Sequence, residues 1–437
     1  MAEKSQEESE YKYVGAEELE EFETYYEEKG FEQFAEFMAN KIKEVENVPV
    51  KIAVTGISGT GKSAFVNTFR GLNADNEGAA KVGSLETTMV PTEYRHPNNK
   101  NVTLWDLPGV GTSKFNKDNY EEKVNFDSYD FFLIFTRGRI FEDDIWLAKR
   151  AQLRGKNYFI VRTHIDVDMK GDKSTHPHTH DANKLLKEIR DGTKRLLEEV
   201  GVYPKDGVYL ISTLLKHVHK DLWDYRKLEN DMLHKLPREK REVLTLSLNN
   251  LSKNLIKEKC EILRSRLKQK AMLLALKGFV PSGLKDFMPQ EVLDFIDNEM
   301  TSYRQALGLD DGTLRRLSQR TGIELESLIS ETTEIIEMPT LRITGDVVMM
   351  LMACAIDPVL IVHPAISFFS KLGVGFGVAY ESAYRLLHDI LGRLETASLR
   401  VIEKMPSTQH TESLKATLSS TPYGVLYDRT QGGDDEA

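Results

Sequence analysis

Cysteine is scarce in this chain of 437 residues, which contains only Cys260 and Cys354. The two residues are far apart in the sequence and have none of the spacings with which cysteines bind metal ions. A disulfide framework is therefore not expected, and the thiols fit a reducing compartment such as the cytosol. The first ten residues, MAEKSQEESE, lack a basic stretch followed by an apolar run, and position 2 is Ala2. We therefore expect neither a secretory signal nor an N-myristoyl anchor.

A surplus of basic residues is also missing. The formal net charge is −10, and residues 1–30 alone hold eleven Glu against three Lys, a local balance of −8. The rest of the chain is thus close to neutral. Nucleic-acid binders present a basic face, so no nucleic-acid partner is expected. The acidic start of the chain indicates a solvated tail or a fraying helix.

Long hydrophobic runs are absent as well. The most apolar region, Val347–Leu387, is interrupted by Asp357-Pro358 and by His363-Pro364. No uncharged stretch reaches the ~18–20 residues that a bilayer span requires, so no transmembrane span is predicted. We favour a buried helical hairpin for this region, with a surface that touches a membrane as the alternative. The expected location is the cytoplasm, with peripheral contact to intracellular membranes as an extension.

Short apolar runs alternate with helical patterns in the first half of the chain. A helical pattern over residues 16–46 precedes them, and Ala182–Val200 is another. The runs of the type found in buried parallel strands are Val50–Thr55, Val102–Trp105, Phe131–Phe135, Tyr158–Val161 and Val208–Ile211. This alternation predicts an α/β fold, in which helices cover both faces of a mostly parallel sheet.

After Pro237 only helical patterns remain. They cover Leu273–Phe279, Val292–Leu307, Thr313–Gln319 and Glu324–Ile335. In the turn LGLDDG (307–312), Asp310 or Asp311 can cap the helix that follows. The polar residues 411–437 are expected to fray. We predict an N-terminal helical segment (1–47), an α/β domain (48–237) and a C-terminal helical domain (238–437).

The strongest motif is GISGTGKS at residues 56–63, which matches G-x-x-x-x-G-K-[ST]. It has the required context, with an apolar strand before it and a helical pattern after it. In such a loop the backbone N–H groups point at phosphate oxygens, Lys62 binds the β- and γ-phosphates, and the Ser63 hydroxyl can bind Mg²⁺. The predicted nucleotide contacts are Gly56, Ser58, Gly59, Thr60, Gly61, Lys62, Ser63 and Ala64.

A second motif, Asp106-Leu107-Pro108-Gly109, follows the next predicted strand. Asp106 can hold Mg²⁺, and the N–H of Gly109 can contact the γ-phosphate. DxxG is weak alone but becomes specific forty-odd residues after a phosphate loop. DLPGVG also offers no Gln beside Gly109 to orient an attacking water.

Between the two motifs lies Glu86-Thr87-Thr88, where a switch loop is expected. The hydroxyl of Thr88 can bind Mg²⁺ only when the γ-phosphate is present, which would make this residue a nucleotide sensor. Thr87 is a further candidate nucleotide contact. An ordinary polar loop is the alternative interpretation of these residues.

The base-binding motif is less regular. After the strand Tyr158–Val161, the sequence has Thr163-His164-Ile165-Asp166 where a GTPase shows [NT]-K-x-D. Asp166 can accept hydrogen bonds from the guanine N1–H and 2-amino groups, which adenine cannot donate. His164 replaces the Lys whose stem packs on the base. Ser212 follows the last predicted strand, where a backbone N–H meets the guanine O6.

The histidines of His176-Pro177-His178-Thr179-His180 have two interpretations. A metal site is one. We favour solvated side chains, because the segment is polar and contains proline.

Taken together, these residues resemble the interferon-inducible immunity-related GTPases, which are dynamin-like P-loop GTPases. The resemblance extends from about residue 48 to residue 335. It rests on GKSAFVNTFRGL (61–72), EGAAKVG (77–83), ETTM (86–89), Tyr94 with His96-Pro97, NVTLWDLPGVGT (101–112), YDFFLIF (129–135), YFIVRTHID (158–166), LLKEIRD (185–191), ALGLDDGTL (306–314) and ELESLI (324–329). Lys62 gives the GKS form of the loop found in effector-type members, and His164 departs from the T-K-x-D of the family.

The resemblance implies a Ras-like P-loop domain flanked by an all-α domain that is formed by both ends of the chain. It implies binding of GTP or GDP with Mg²⁺, and slow hydrolysis that is stimulated when two nucleotide domains meet face to face. Glu86 corresponds to the switch-region Glu that acts in this dimer, so Lys62, Glu86 and Thr88 are the predicted catalytic residues. Ser63, Thr88 and Asp106 are the predicted metal ligands. The resemblance also implies self-association on organelle or pathogen-vacuole membranes in cell-autonomous immunity.

Two other functions compete with a dimer-activated GTPase. A nucleotide-gated regulatory protein with negligible turnover would fit His164 and the missing Gln. An ATPase or small-molecule kinase would share the phosphate loop, but Asp166 disfavours it.

Overall fold

The computed structural model describes residues 16–83, 90–110, 115–218, 222–250, 252–278, 289–337 and 376–405. A six-stranded sheet with the order β2-β3-β1-β4-β5-β6 forms the first half of the chain. Its strands are β1 (Val50–Gly56), β2 (Thr92–His96), β3 (Asn99–Asp106), β4 (Phe131–Thr136), β5 (Asn157–Arg162) and β6 (Val208–Leu210). The five predicted apolar runs correspond to β1, β3, β4, β5 and β6, so these predictions are confirmed.

All neighbouring strands are parallel except β2, which pairs antiparallel with β3 at the edge of the sheet. We did not predict β2 from the sequence. Its residues TEYRH are mostly polar, and only His96 is buried, so the segment lacks the apolar run of a central strand. An edge strand can expose its side chains in this way.

Helices cover both faces of the sheet. They are α3 (Lys62–Phe69), α4 (Tyr120–Lys123), α5 (Glu142–Leu153), α6 (Ile165–Thr175), α7 (Ala182–Glu199), α8 (Leu215–Val218) and α9 (Tyr225–His234). One face packs around Phe65, Phe135 and Tyr225. The other face packs around Tyr120, Phe132 and Leu147. This arrangement confirms the predicted α/β class.

Two helices that precede the sheet and six that follow it make up the rest of the described chain. They are α1 (Ala16–Lys29), α2 (Phe31–Glu46), α10 (Arg238–Ser247), α11 (Lys253–Gly278), α12 (Pro289–Ala306), α13 (Asp311–Thr321), α14 (Leu325–Glu337) and α15 (Phe376–Glu403). Phe22 and Phe34 from the start of the chain share one hydrophobic core with Leu267 and Tyr380. The all-α part is therefore built from both ends of the chain, as predicted.

The single helix predicted over residues 16–46 is in fact two helices. Gly30 has φ +81 and interrupts the helix, a conformation that costs glycine little. The break turns α2 back onto α1, and the rings of Phe22 and Phe34 lie 5.9 Å apart. The helical periodicity of the sequence continued across this turn, so the pattern alone did not indicate it.

Two other expectations concern the second half of the chain. Asp310 caps α13, because its Oδ1 accepts the N–H of Thr313 at 2.9 Å. Within the apolar region Val347–Leu387, residues 376–387 belong to α15, where Phe376, Ala379 and Tyr380 are buried. Residues 347–375 and 411–437 lie outside the described residues. No helix in the described part of the chain is long and apolar enough to cross a membrane.

Candidate nucleotide-binding site

The phosphate loop connects β1 to α3, and its backbone requires glycine. Gly56, Gly59 and Gly61 have φ values of +135, +79 and +85, a region that residues with side chains rarely adopt. A Cβ on Gly56 would lie 2.2 Å from the carbonyl oxygen of Phe135. Glycine at this position therefore also allows the end of β1 to lie directly beside β4.

Lys62 lies at the start of α3, and its ammonium group closes the loop. Its Nζ donates to the carbonyl oxygens of Gly56 at 2.8 Å and Ile57 at 3.0 Å. The buried Thr60 hydroxyl donates to the same Ile57 oxygen at 2.8 Å. A cation thus lies inside the loop at a helix N-terminus, where the helix dipole also favours an anion.

Ser63 and Asp106 meet beside this loop. Asp106 is the last residue of β3 and is 2% exposed, and the Ser63 hydroxyl donates to its Oδ2 at 3.4 Å. Register places Val54 of β1 opposite Asp106, so adjacent strands bring the two residues together from 43 positions apart. A carboxylate and a hydroxyl are hard oxygen donors of the kind Mg²⁺ prefers. The residues present therefore fit a magnesium ion.

Tyr120 fixes the segment that follows Asp106. Its hydroxyl donates to the carbonyl oxygen of Pro108 at 3.0 Å, and its side chain is fully buried. Burial raises the pKa of Tyr120, so the hydroxyl keeps its proton and remains a donor. No sequence pattern indicated this contact, because Tyr120 belongs to neither motif.

Asp144 is a further acidic group near Lys62 that the sequence reasoning missed. It is 5% exposed and lies in the first turn of α5. Burial raises its pKa from 3.8 to about 6, against the lowering effects of the Phe141 N–H and of Lys62. Acidic residues are common at helix starts for dipole reasons, so the run Glu142–Asp144 did not stand out.

Thr163 connects the base-binding end of the site to the phosphate loop. This residue follows β5 and is fully buried. Its hydroxyl donates to the carbonyl oxygen of Thr60 at 2.7 Å and lies 2.9 Å from Nδ1 of His164. One side chain therefore holds the loop predicted to bind phosphates against the loop predicted to recognise the base.

His164 lies against the phosphate loop. It has φ +61 and precedes α6, and its Cε1 is 3.4 Å from the position a Cβ would take on Gly61. Burial lowers the pKa of His164, and Arg137 lowers it further. The neutral imidazole is therefore favoured near pH 7, in contrast to the lysine it replaces.

The remaining base-end residues lie on short loops. Asp166 is half-buried in the first turn of α6. Ser212 follows β6 and is 2% exposed, and its hydroxyl accepts the N–H of Leu214 at 3.3 Å and lies 2.9 Å from Nδ1 of His217. The next carbonyl, that of Thr213, accepts the Thr68 hydroxyl of α3 at 2.5 Å. His217 was not predicted, since nothing in the sequence distinguishes it from a surface histidine.

The structure brings the phosphate loop, Asp106, Thr163 and His164 into one region through these contacts. Ser58 and Gly59 are exposed at the tip of the loop, and Ala64 is half-buried on α3. Among the described residues, nothing lies within 4 Å of the position a Cβ would take on Gly109. Glu86, Thr87 and Thr88 lie outside the described residues. The roles assigned to all these residues remain predictions.

The histidine-rich segment is held by one carboxylate. Asp172 binds Nδ1 of His176 at 3.0 Å through Oδ1 and Nδ1 of His180 at 2.6 Å through Oδ2. In the described part of the chain, no group of three or more His, Cys, Asp or Glu side chains could hold a metal ion.

Comparisons with known proteins identify similar chains. The sequence profile described as "Interferon-inducible GTPase (IIGP)" matches residues 15–373. The chain is 36% identical over 304 residues to T-cell-specific guanine nucleotide triphosphate-binding protein 2 of Mus musculus, covering 69% of this chain and 71% of that protein. It is 33% identical over 291 residues to Interferon-inducible GTPase 1 of Mus musculus, covering 67% and 69%. It is 29% identical over 412 residues to Interferon-inducible GTPase 5 of Rattus norvegicus, covering 92% and 86%.

Proposed function

This chain belongs to the interferon-inducible GTPase family, and from that membership we propose that it hydrolyses GTP to GDP and phosphate at the phosphate loop, faster when two nucleotide domains meet. Membership confirms the family resemblance predicted from the sequence and makes the chain a GTPase. The observation that carries the proposal for the site is the meeting of Lys62, Ser63 and Asp106 at one glycine-rich loop. In this proposal, residues 48–237 form the nucleotide domain, and residues 1–47 and 238–437 form the helical domain.

Lys62 would bind the β- and γ-phosphates. Its ammonium group now donates to two neutral carbonyl oxygens of the loop. Phosphate oxygens are charged acceptors and form stronger hydrogen bonds with an ammonium group. Binding of the nucleotide would therefore replace the bonds to Gly56 and Ile57, and the loop N–H groups would hold the remaining phosphate oxygens.

Ser63 and Asp106 would hold Mg²⁺, with Thr88 as a third ligand. An ion held by these residues would supply positive charge that offsets the negative charge of the phosphate oxygens. Tyr120 keeps the backbone after Asp106 in place through Pro108. Gly109 would contact the γ-phosphate through its N–H.

Thr163, His164, Asp166 and Ser212 would bind the base. Asp166 would accept the guanine N1–H and 2-amino group, and an adenine would leave this carboxylate without donors. His164 would pack against the base as a neutral ring. Thr87 would contact the nucleotide from the switch region.

Self-association would supply a group that orients the attacking water, which the chain lacks beside Gly109. Val110 follows Gly109 in the sequence, so no Gln at this position can orient the attacking water. We assign this help to Glu86, acting across the interface between two nucleotide domains. Action on intracellular or pathogen-vacuole membranes, in innate immunity, is part of the same proposal and is supported by family membership.

The test is GTP hydrolysis per mole of protein over a wide range of protein concentration, with ATP as the control nucleotide. We expect the specific activity to rise with concentration for GTP alone. Glu86→Ala should abolish the rise without changing affinity for GDP, whereas Glu77→Ala, an exposed residue of the same region, should behave like the wild type. A flat, near-zero rate with tight guanine-nucleotide binding would contradict dimer activation and favour the nucleotide-gated regulator.

A further inference from the structure

The C-terminal end of α3, the helix that begins at the phosphate loop, contacts the helical part of the molecule. The carbonyl oxygen of Phe69, the last residue of α3, accepts Nδ2 of Asn249 at 3.0 Å. Asn249 lies between α10 and α11, 180 residues away in sequence. A carbonyl of the last helical turn has no partner within the helix, so a side chain of the helical part satisfies it.

Gly71 makes this contact close. It has φ +68, and a Cβ there would lie 2.4 Å from Oδ1 of Asn249 and 3.6 Å from Nη2 of Arg320. Arg320 belongs to α13. No residue with a side chain could occupy position 71 without displacing Asn249. Position 71, two residues beyond the end of α3, therefore lies close to Asn249 and Arg320, which belong to two separate elements of the helical part.

Arg320 contributes charge to the same contact. Burial lowers its pKa to about 10, and the positive charge of Arg316 on the same helix acts in the same direction. Its Nε and Nη2 are buried and have no hydrogen-bond partner among the residues that the structure describes. The C-terminal end of a helix carries partial negative charge, so the end of α3 is a favourable neighbour for this cation.

The other end of α3 carries the groups of the site. Lys62 and Ser63 are its first two residues, and the helix has only eight. At a rise of about 1.5 Å per residue, the distance from Lys62 to Phe69 is roughly 11 Å. Because a short helix moves as a unit, a shift at Phe69 changes the position of Lys62. Asn249 and Arg320 thus lie at the opposite end of the helix that begins with Lys62 and Ser63.

We propose that Asn249 and Arg320 are positioning residues for the phosphate loop, so that the contact between the helical part and the end of α3 sets nucleotide affinity. The inference rests on the proposed binding of GTP and GDP by this loop. By thermodynamic linkage, nucleotide binding must stabilise the contact between the helical part and α3 by the same factor. The helical part in this way regulates the site through its contacts at the far end of α3.

The first experiment measures GDP affinity with a fluorescent GDP analogue in the full chain. Asn249→Ala and Arg320→Gln should each weaken binding about three- to tenfold, the range expected for one lost hydrogen bond or charge contact. Arg320→Lys, which keeps the charge, should restore part of the loss. The matched control is Arg315→Gln, because Arg315 is exposed on the same helix and should have no effect.

The second experiment separates positioning from general stability. Amide hydrogen exchange of residues 311–321 should slow when GDP binds the wild type, and this slowing should shrink in Asn249→Ala and persist in Arg315→Gln. A merely structural role would lower the urea midpoint of the variants and leave the effect of GDP on exchange intact. Gly71→Ala, which disturbs the contact from the side of α3, provides the same readout if Asn249→Ala does not fold.

Lys62→Ala distinguishes failure of this inference from failure of the proposed site. If Lys62→Ala keeps wild-type GDP affinity, the proposed site is wrong. If Lys62→Ala loses binding while Asn249→Ala and Arg320→Gln bind GDP like the wild type, only the positioning role is overturned. Absence of any effect of GDP on exchange in α13 of the wild type would overturn it as well.

Discussion

The phosphate end of the site takes its shape from backbone contacts, whereas the base end takes its shape from side chains. Gly56 lies against the backbone of Phe135 and, like Gly59 and Gly61, has a positive φ. At the base end, the hydroxyls of Thr163 and Thr68 make the connecting bonds. Backbone geometry depends on a few glycines and cannot absorb substitutions there. A side chain that makes one contact can be replaced without changing the backbone. The chain departs from the usual GTPase motif at this end, where His164 replaces a lysine.

The largest effect is expected at the phosphate end. Lys62→Ala removes the cation that would bind two phosphates, and a hydrogen bond to a charged group is worth about 1.5–3 kcal/mol. We expect GDP and GTP affinity to fall by about a hundredfold or more, measured by titration with a fluorescent nucleotide. The control is Lys187→Ala, an exposed lysine on α7. Unchanged affinity in Lys62→Ala would contradict the site assignment.

At the base end, Asp166→Asn should change the preferred base rather than abolish binding. An amide reverses the hydrogen-bonding sense at the edge of the base, so xanthine nucleotides should gain relative to guanine nucleotides by about tenfold or more. Competition of XTP with GTP measures the change. Asp168→Asn is the control, because Asp168 lies on the same helix but binds Arg162 at 2.9 Å and is not proposed to bind the base. If the XTP-to-GTP ratio stays constant in Asp166→Asn, Asp166 does not recognise the base.

Thr163→Val tests the connection between the two ends. Valine keeps the shape but cannot donate to Thr60, and an unsatisfied buried carbonyl costs about 1–3 kcal/mol. We expect nucleotide affinity to fall roughly tenfold, with guanine selectivity retained, in titrations with GTP and ATP. Thr163→Ser keeps the hydroxyl and should bind like the wild type. Equal loss in the Val and Ser variants would indicate a packing role instead.

The smallest effect concerns stability at the phosphate end. Burial raises the pKa of Asp144 from 3.8 to about 6, so the folded state binds this proton more tightly than the unfolded state. Stability should therefore decrease as pH rises from about 4 to about 6. Above that range Asp144 is ionised in both states, and the loss of stability no longer grows with pH. Asp144→Asn should raise the free energy of unfolding by roughly 1–3 kcal/mol near neutral pH.

Urea unfolding of the protein without nucleotide measures this gain across the pH range. The gain should shrink as pH falls through 6 and vanish below about pH 3, where Asp144 is protonated in both states. Asp143→Asn, the partly exposed neighbour, should show no such dependence. A gain that is independent of pH would mean that Asp144 is not the titrating group.

Sequence patterns predicted the elements whose burial or chemistry is local. Each central strand is a short apolar run, and the glycines of residues 56–61 predict the backbone conformation of the loop. Edge strand β2 was missed because polar residues leave no apolar run, and the break at Gly30 was missed because periodicity continued across it. Tyr120, Asp144, His217 and Asn249 acquire their roles from partners that the fold supplies, so their local sequence carries no mark of them.

The sequence by itself determined the family, the α/β class of the nucleotide domain and the identity of the phosphate-loop residues. These follow from short-range rules: backbone conformations that only glycine adopts readily, apolar runs that must be buried, and charges that must meet phosphate. Tertiary structure alone decided that Ser63 meets Asp106, that Thr163 holds Thr60, and that Asn249 binds the end of α3. Such contacts join residues 43, 103 and 180 positions apart. They form only because strand order and helix packing bring distant segments together, and no local pattern encodes that order.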